Sequence, residues 1–267
     1  MKISCTDAMV PGISLTEKAI NLKRWGFDAI AVFAEYTSWN EEKLDELSSL
    51  YDRTGICPCE FVFMDPVYGH LMDQDIRIKN QAVQMYRDAI RVCKKIGAIT
   101  EMEFDYGAQD PLPLFEPYKQ MSESEEKGFL EVLKTLGGEA EGSRAWILIE
   151  PINRYETKYL TRMKDVKGII EKVHLSNVGI LADFFHLSIE ESDLPASIRE
   201  AGSLIRHVHL GDSNRLLPGY GHIDWDSCFQ ALKSIGFNGY LNLECGIPGD
   251  AEMELPKTAR YLKQLIG

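Results

Sequence analysis

The sequence has no apolar run near the roughly 18 residues that a membrane-spanning helix needs, no low-complexity segment and no Pro/Ser-rich linker. Its N-terminus, MKISCTDAMVPG, lacks the hydrophobic stretch of a signal peptide, so the expectation is a soluble, cytoplasmic protein with no membrane partner. Cations are also in deficit: 29 Lys and Arg stand against 41 Asp and Glu, a net charge of −12. A phosphate backbone is held by clustered Lys and Arg, which argues against nucleic acid as a partner. The six cysteines, at 5, 57, 59, 93, 228 and 245, show no CxxC spacing of the zinc-binding kind. Cys57 and Cys59 flank one proline and would point the same way along a strand. A metal or redox pair there is the alternative to reduced thiols near a buried strand, and the second reading is favoured.

What is present is a recurring unit. Short apolar runs at 2–5, 27–33, 59–63, 99–104, 145–150, 178–183, 205–210 and 239–244 carry the β-branched and aromatic residues of buried strands. Between them lie amphipathic stretches at 15–25, 41–54, 74–96, 122–137, 163–173, 194–201, 226–235 and 251–265. The clearest is 74–96, where Val83, Tyr86, Ile90 and Cys93 recur at three- and four-residue spacing, with Asp73 as N-cap. Gly26, Gly55, Gly97, Gly202 and Gly236 sit just past helix ends, where glycine is favoured. Strand–helix alternation predicts a parallel sheet with helices outside. Eight such units predict a closed (β/α)8 TIM barrel, a single domain over 1–267.

Four later strands end in side chains able to bind a metal: Glu150 closes WILIE, Asp183 closes GILAD, His209 lies in HVHL and Glu244 closes LNLE. Successive members are separated by about one βα unit, roughly 30 residues. Consecutive barrel strands would therefore present them together at the C-terminal face, where barrel active sites sit. Three carboxylates that close cannot all stay ionised without a cation among them. Oxygen-rich ligation with one imidazole suits Mn²⁺ or Mg²⁺, with Co²⁺ also suited. Taken singly, each acid has the alternative of a helix cap or a surface charge; four in register favour the metal.

Four segments carry a resemblance: IEPINRYET (149–157), ILADFFHLSIEE (180–191), HVHLGDSNRLLPGYGHIDW (207–225) and LKSIGFNGYLNLEC (232–245). Together they resemble the xylose isomerase-like TIM barrels, and among those the ketose 3-epimerases of the D-tagatose and D-psicose 3-epimerase type and related sugar isomerases. The likeness is specific over 145–245; earlier it rests on architecture, with DQDIRIKNQAV (73–83) a weaker echo. It implies one divalent metal ion on Glu150, Asp183, His209 and Glu244, with Glu150 and Glu244 as the acid/base pair. It further implies substrate contacts from Glu156, His186 and Arg215. The implied reaction is C3 epimerisation of a small unphosphorylated ketose through a metal-stabilised enediolate, one glutamate taking the C3 proton and the other returning one on the opposite face.

Each substrate contact has a rival reading: Arg215 paired with Asp212 or Asp224 at the rim, His186 as a core histidine, Glu156 as a turn cap. His207, two residues before His209, faces the same side and is expected to support or pack. The same chemistry would also serve a hydroxypyruvate isomerase, or a dehydratase or lyase of a keto-sugar or inosose. An apurinic-site endonuclease is a remote alternative, disfavoured by six histidines and the charge of −12. A homo-oligomer, dimer or tetramer, is left open. The Pro-rich segment YGAQDPLPLFEPYKQ (106–120) matches nothing in the 3-epimerases and is expected to shape the pocket.

Overall fold

A computed structural model describes residues 1–116 and 118–267. Eight strands, β1 (Lys2–Thr6), β2 (Ala29–Glu35), β3 (Cys57–Met64), β4 (Ile99–Met102), β5 (Trp146–Ile149), β6 (Val178–Asp183), β7 (Ile205–Leu210) and β8 (Tyr240–Leu243), pair in sequence order. All pairings are parallel, and β8 closes on β1, giving the expected barrel. The helices are α1 (Leu15–Trp25), α2 (Glu41–Thr54), α3 (Ile76–Ile96), α4 (Glu123–Ala140), α5 (Met163–Val173), α6 (Phe184–Glu190), α7 (Leu194–Ala201), α8 (Trp225–Ser234) and α9 (Ala251–Ile266). Among the described residues no helix is long and apolar enough to cross a membrane.

Caps set most boundaries. Ser14 and Asn40 side chains accept from Glu17 N and Lys43 N, and Ser122 with Glu125 forms a reciprocal capping box. Two expectations are corrected. The N-cap of α3 is Asp75, whose side chain accepts from Arg77 N; Asp73 instead accepts from Asp75 N and lies 2.9 Å from His70 Nδ1. The expected helices leave 184–190 unassigned; these residues form α6, because Asp183 accepts from Phe185 N at 2.7 Å and caps a helix there.

Side-chain alternation divides each strand between two environments. Ile3, Ile30, Phe61, Met102, Ile147, Ile180, Val208 and Leu241 belong to the continuous apolar layer shared with Leu22, Leu50, Ile90, Leu133, Ile170, Phe229 and Leu262 of the helices. The opposite face lines the barrel, and it is unusually polar. Barrel interiors are commonly filled by layers of branched aliphatics. Here buried Ser4, Thr6, Glu60, Glu101, His207, His209 and Asn242 occupy much of that space. Ser4 Oγ donates to Asn242 Oδ1 at 3.0 Å, and Asn242 Nδ2 donates to Thr6 Oγ1 at 3.0 Å.

All six cysteines are free thiols, and none joins a metal-capable cluster among the described residues. Burial pushes the Cys59 thiol pKa up, against the redox alternative for that pair.

Candidate active site

The strand ends of β5 to β8 bring Glu150, Asp183, His209 and Glu244 to the C-terminal mouth. Ligand atoms of Asp183, His209 and Glu244 all lie within 4.8 Å of one another, as do those of Glu150, Asp183 and His186. His209 Nδ1 is 3.3 Å from Glu244 Oε2 and 3.9 Å from Glu150 Oε1. Asp183 and His209 are fully buried and Glu150 is 4% exposed, whereas the Glu244 side chain keeps 24%. The site therefore opens on the Glu244 side.

Glu60, in the middle of β3, faces His209 from below. His209 Nε2 lies 3.0 and 3.1 Å from its two carboxyl oxygens. That pairing puts a proton on Nε2 and leaves Nδ1, buried and without a hydrogen-bond partner among the described residues, aimed at the carboxylates. Burial alone would lower the His209 pKa, but Glu60 and Glu244 outweigh it and push it well up, so a cation at Nδ1 would take the place of a second ring proton. Burial alone would raise the Glu60 pKa, but His209 and His207 outweigh it and hold the group well below the usual carboxylate range. His207 Nε2 is 3.3 Å from Glu60 Oε2, yet neither of its ring nitrogens makes a hydrogen bond among the described residues.

A free imidazole nitrogen among three carboxylates is the donor set of a hard divalent cation. The charges point the same way. Burial, then Glu101, pushes the Glu150 pKa well up, so in a cation's absence this carboxyl resists ionising. Asp183 is held low, its burial overridden chiefly by Arg215. The Arg215 guanidinium bridges Asp183 Oδ2 and Glu244 Oε2, the latter at 2.5 Å, and so puts a positive charge between two of the candidate ligands. We expect Glu60→Gln to weaken Mn²⁺ binding roughly 10- to 100-fold while the protein stays folded, because the His209 tautomer loses its anchor. Calorimetric titration with Mn²⁺ checks this, and unchanged affinity would refute the tautomer assignment.

The three expected substrate contacts surround this group. Arg215 does not pair with Asp212 or Asp224. Asp212 is occupied by Ser213 N, Gly219 N, Ile223 N and Trp225 Nε1, which fold the loop after β7, and Asp224 caps α8. Within that loop Arg215 takes a left-handed backbone (φ 59°), a strained conformation for a non-glycine residue, and stacks on Phe185 at 4.7 Å. His186 Nδ1 accepts from Asn153 N (3.2 Å) and Nδ2 (2.8 Å), so its proton sits on Nε2, 3.9 Å from Asp183 Oδ2. Asn153 Nδ2 also donates to Glu156 Oε1 at 2.8 Å, tying the second contact to the third.

The loop bearing Asn153 and Glu156 is pinned by Arg154. Its backbone N and Nε donate to Glu190 Oε1 and its Nη2 to Oε2, each at 2.9 Å, joining the loop to the end of α6. The Glu190 side chain is wholly buried. Arg154→Ala is expected to destabilise the protein by about 3–5 kcal/mol, since it strands a buried carboxylate. Urea denaturation measures it, and a loss below about 1 kcal/mol would overturn the anchoring role. Of the 106–120 segment, Gly107 N and Gln109 N donate to Glu156 O and Tyr155 O (2.9 and 2.8 Å), and Tyr118 Oη donates to Glu190 O. Pro117 of that segment lies outside the described residues.

Glu60, Glu101 and Glu103 belong to the site's surroundings and are not among the sequence-predicted residues. The signal for them was acids inside two otherwise largely apolar strand runs, one in CEFVF and two in ITEMEF. Ligand atoms of Glu101 lie within 4.8 Å of those of Glu150 and His209, and its pKa is pushed up to about 8 by burial and then by Glu60.

The chain is similar to D-psicose 3-epimerases of Enterocloster bolteae (36% identity over 112 residues) and Ruminiclostridium cellulolyticum (33% over 115 residues). These matches cover 42% and 43% of this chain but only 37% and 39% of the relatives. Over its whole length the fold resembles the crystal structure of E. coli 3-keto-D-glucoside 4-epimerase, with a TM-score of 0.86, 21% identity and 99% of each chain covered. The family model of the xylose isomerase-like TIM barrel matches residues 20–265, and the chain belongs to that family.

Proposed function

We propose that this protein is a divalent-metal-dependent sugar epimerase that inverts C3 of an unphosphorylated ketose. The observation that carries the reading is the convergence of Glu150, Asp183, His209 and Glu244, with His209 Nδ1 free and its other nitrogen held by Glu60. Partial matches to D-psicose 3-epimerases, and a fold shared with a 3-keto-glucoside 4-epimerase, support the same class of step. Both reactions invert a carbon next to a ketone.

Glu150, Asp183, His209 and Glu244 would hold the cation, Mn²⁺ foremost, with Mg²⁺ or Co²⁺ as substitutes. When bound, it supplies Lewis-acid charge that makes a C–H beside a ketone acidic enough to lose its proton at neutral pH. The remaining work belongs to the side chains. Glu150 and Glu244, just past β5 and β8, address the reacting carbon from two sides. One removes the C3 proton and the other returns a proton to the opposite face, with the roles exchanging in the reverse direction. The Nε2–H of His186 and the Arg215 guanidinium donate to the substrate oxygens on which negative charge collects. Glu156, steadied by Asn153, grips a hydroxyl. The loop after β7 offers one arginine among acids, which favours an uncharged sugar over a sugar phosphate.

Incubation of the Mn²⁺-loaded protein with D-psicose, D-tagatose and D-fructose in D₂O tests the reading. Deuterium at C3 accompanied by the epimer is the expected result. Loss of water, proton transfer between C1 and C2, or no exchange next to the carbonyl in any of the three would refute it.

A further inference from the structure

The strand β4 and the residue that follows it carry two acids, Glu101 and Glu103, that the metal site and its substrate contacts leave unused. Met102 and Phe104 belong to the apolar layer against the helices, Phe104 packing on Phe129 of α4 at 4.9 Å. By alternation Glu101 and Glu103 point into the barrel. Each leaves its Oε2 buried without a partner among the described residues. They differ in what else they meet: Glu101 Oε1 accepts from Tyr68 Oη at 2.7 Å and its ligand atoms neighbour Glu150 and His209, whereas Glu103, 7% exposed, stands nearer the mouth.

Glu103 follows Glu101 at the same parity, two residues nearer the C-terminal mouth, so it enters the barrel above the Glu150 and His209 pair that Glu101 neighbours. The segment that carries Glu103 is also fixed in place. Gly107 N donates to Glu156 O, zipping it to the loop after β5. On its other side Gly69 (φ 75°) packs so closely that a Cβ there would meet Tyr106 Cβ at 2.4 Å. A positioned, buried carboxyl oxygen without a partner is costly to keep unless a ligand pairs with it.

We propose that Glu103 is a specificity-determining residue, whose free Oε2 hydrogen-bonds a hydroxyl of the ketose beyond the reacting carbon, at C4, C5 or C6. This rests on the epimerase reading above. The site then selects a hydroxyl-bearing chain on the Glu103–Glu156 side.

The test uses the full-length Mn²⁺-loaded protein, Glu103→Ala and Glu103→Gln, with D-psicose and its 4-, 5- and 6-deoxy analogues. Circular dichroism and melting establish that the variants are folded. Glu103→Ala is expected to lower kcat/KM for D-psicose roughly 10- to 100-fold. The penalty should vanish for the one analogue that lacks the contacted hydroxyl, Gln should restore most of the activity, and Mn²⁺ affinity should stay within about twofold of wild type. Equal losses on every analogue, a shifted Mn²⁺ affinity, or no loss would overturn the assignment. Wild-type protein that neither turns over nor exchanges any ketose would instead overturn the epimerase reading, and this one with it.

Discussion

Glu244→Gln is expected to reduce epimerisation by at least about 1,000-fold, the upper part of the range for a lost general acid or base. Glutamine keeps the shape and one carbonyl oxygen, so the fold and part of the cation affinity should survive. What disappears is a group able to take or give a proton on one face of the substrate. A two-carboxylate mechanism makes a sharper statement than loss of rate. With Glu150 intact, the variant should still exchange the C3 proton of one epimer with D₂O without inverting it. Glu150→Gln should do the same for the other epimer only. If Glu244→Gln still interconverts the epimers at a wild-type rate, or if both variants exchange the same epimer, the pair is misassigned.

Chelation should have an effect as large. Dialysis of the protein against EDTA is expected to abolish turnover, and added Mn²⁺ to restore it. It should also lower the melting temperature, because a ligand that binds only the folded state stabilises it by about 2.7 kcal/mol at 100 times its Kd. For a chain of this size each kcal/mol moves Tm by roughly 2–4 °C, so saturating Mn²⁺ should raise it by about 5–10 °C. The shift should shrink in Glu60→Gln, whose His209 no longer presents Nδ1 in a fixed tautomer. Full activity in EDTA, or a Tm indifferent to Mn²⁺, would refute the metal site.

Much of this was legible in the sequence for a reason of geometry. In a barrel the repeat length is the spacing between strand ends, so Glu150, Asp183, His209 and Glu244 could be recognised as neighbours from their positions alone. Arg215 was legible as a functional residue, but its bridge between Asp183 and Glu244 was not, because that depends on how the loop after β7 folds around Asp212. The helix α6 stayed hidden because a single aspartate both ends β6 and caps it, and the two phenylalanines that follow read equally well as strand or helix. Glu60 and Glu103 were overlooked for a related reason. An acid within an apolar strand reads as a surface residue until the closed barrel shows that the face it occupies is inside.

The polar lining of the barrel bears on how this protein can change. Ser4, Thr6, Glu60, Glu101, His207, His209 and Asn242 fill space that aliphatic side chains would fill with less dependence on neighbours. Mutational drift there is constrained by pairs rather than by volume: altering Asn242 orphans Ser4 and Thr6, and altering Glu60 frees His209 and removes the charge that His207 faces. New substrate preferences should therefore evolve on the loops around Glu103, Glu156 and Arg215, while the barrel interior changes in linked sets of residues or hardly at all.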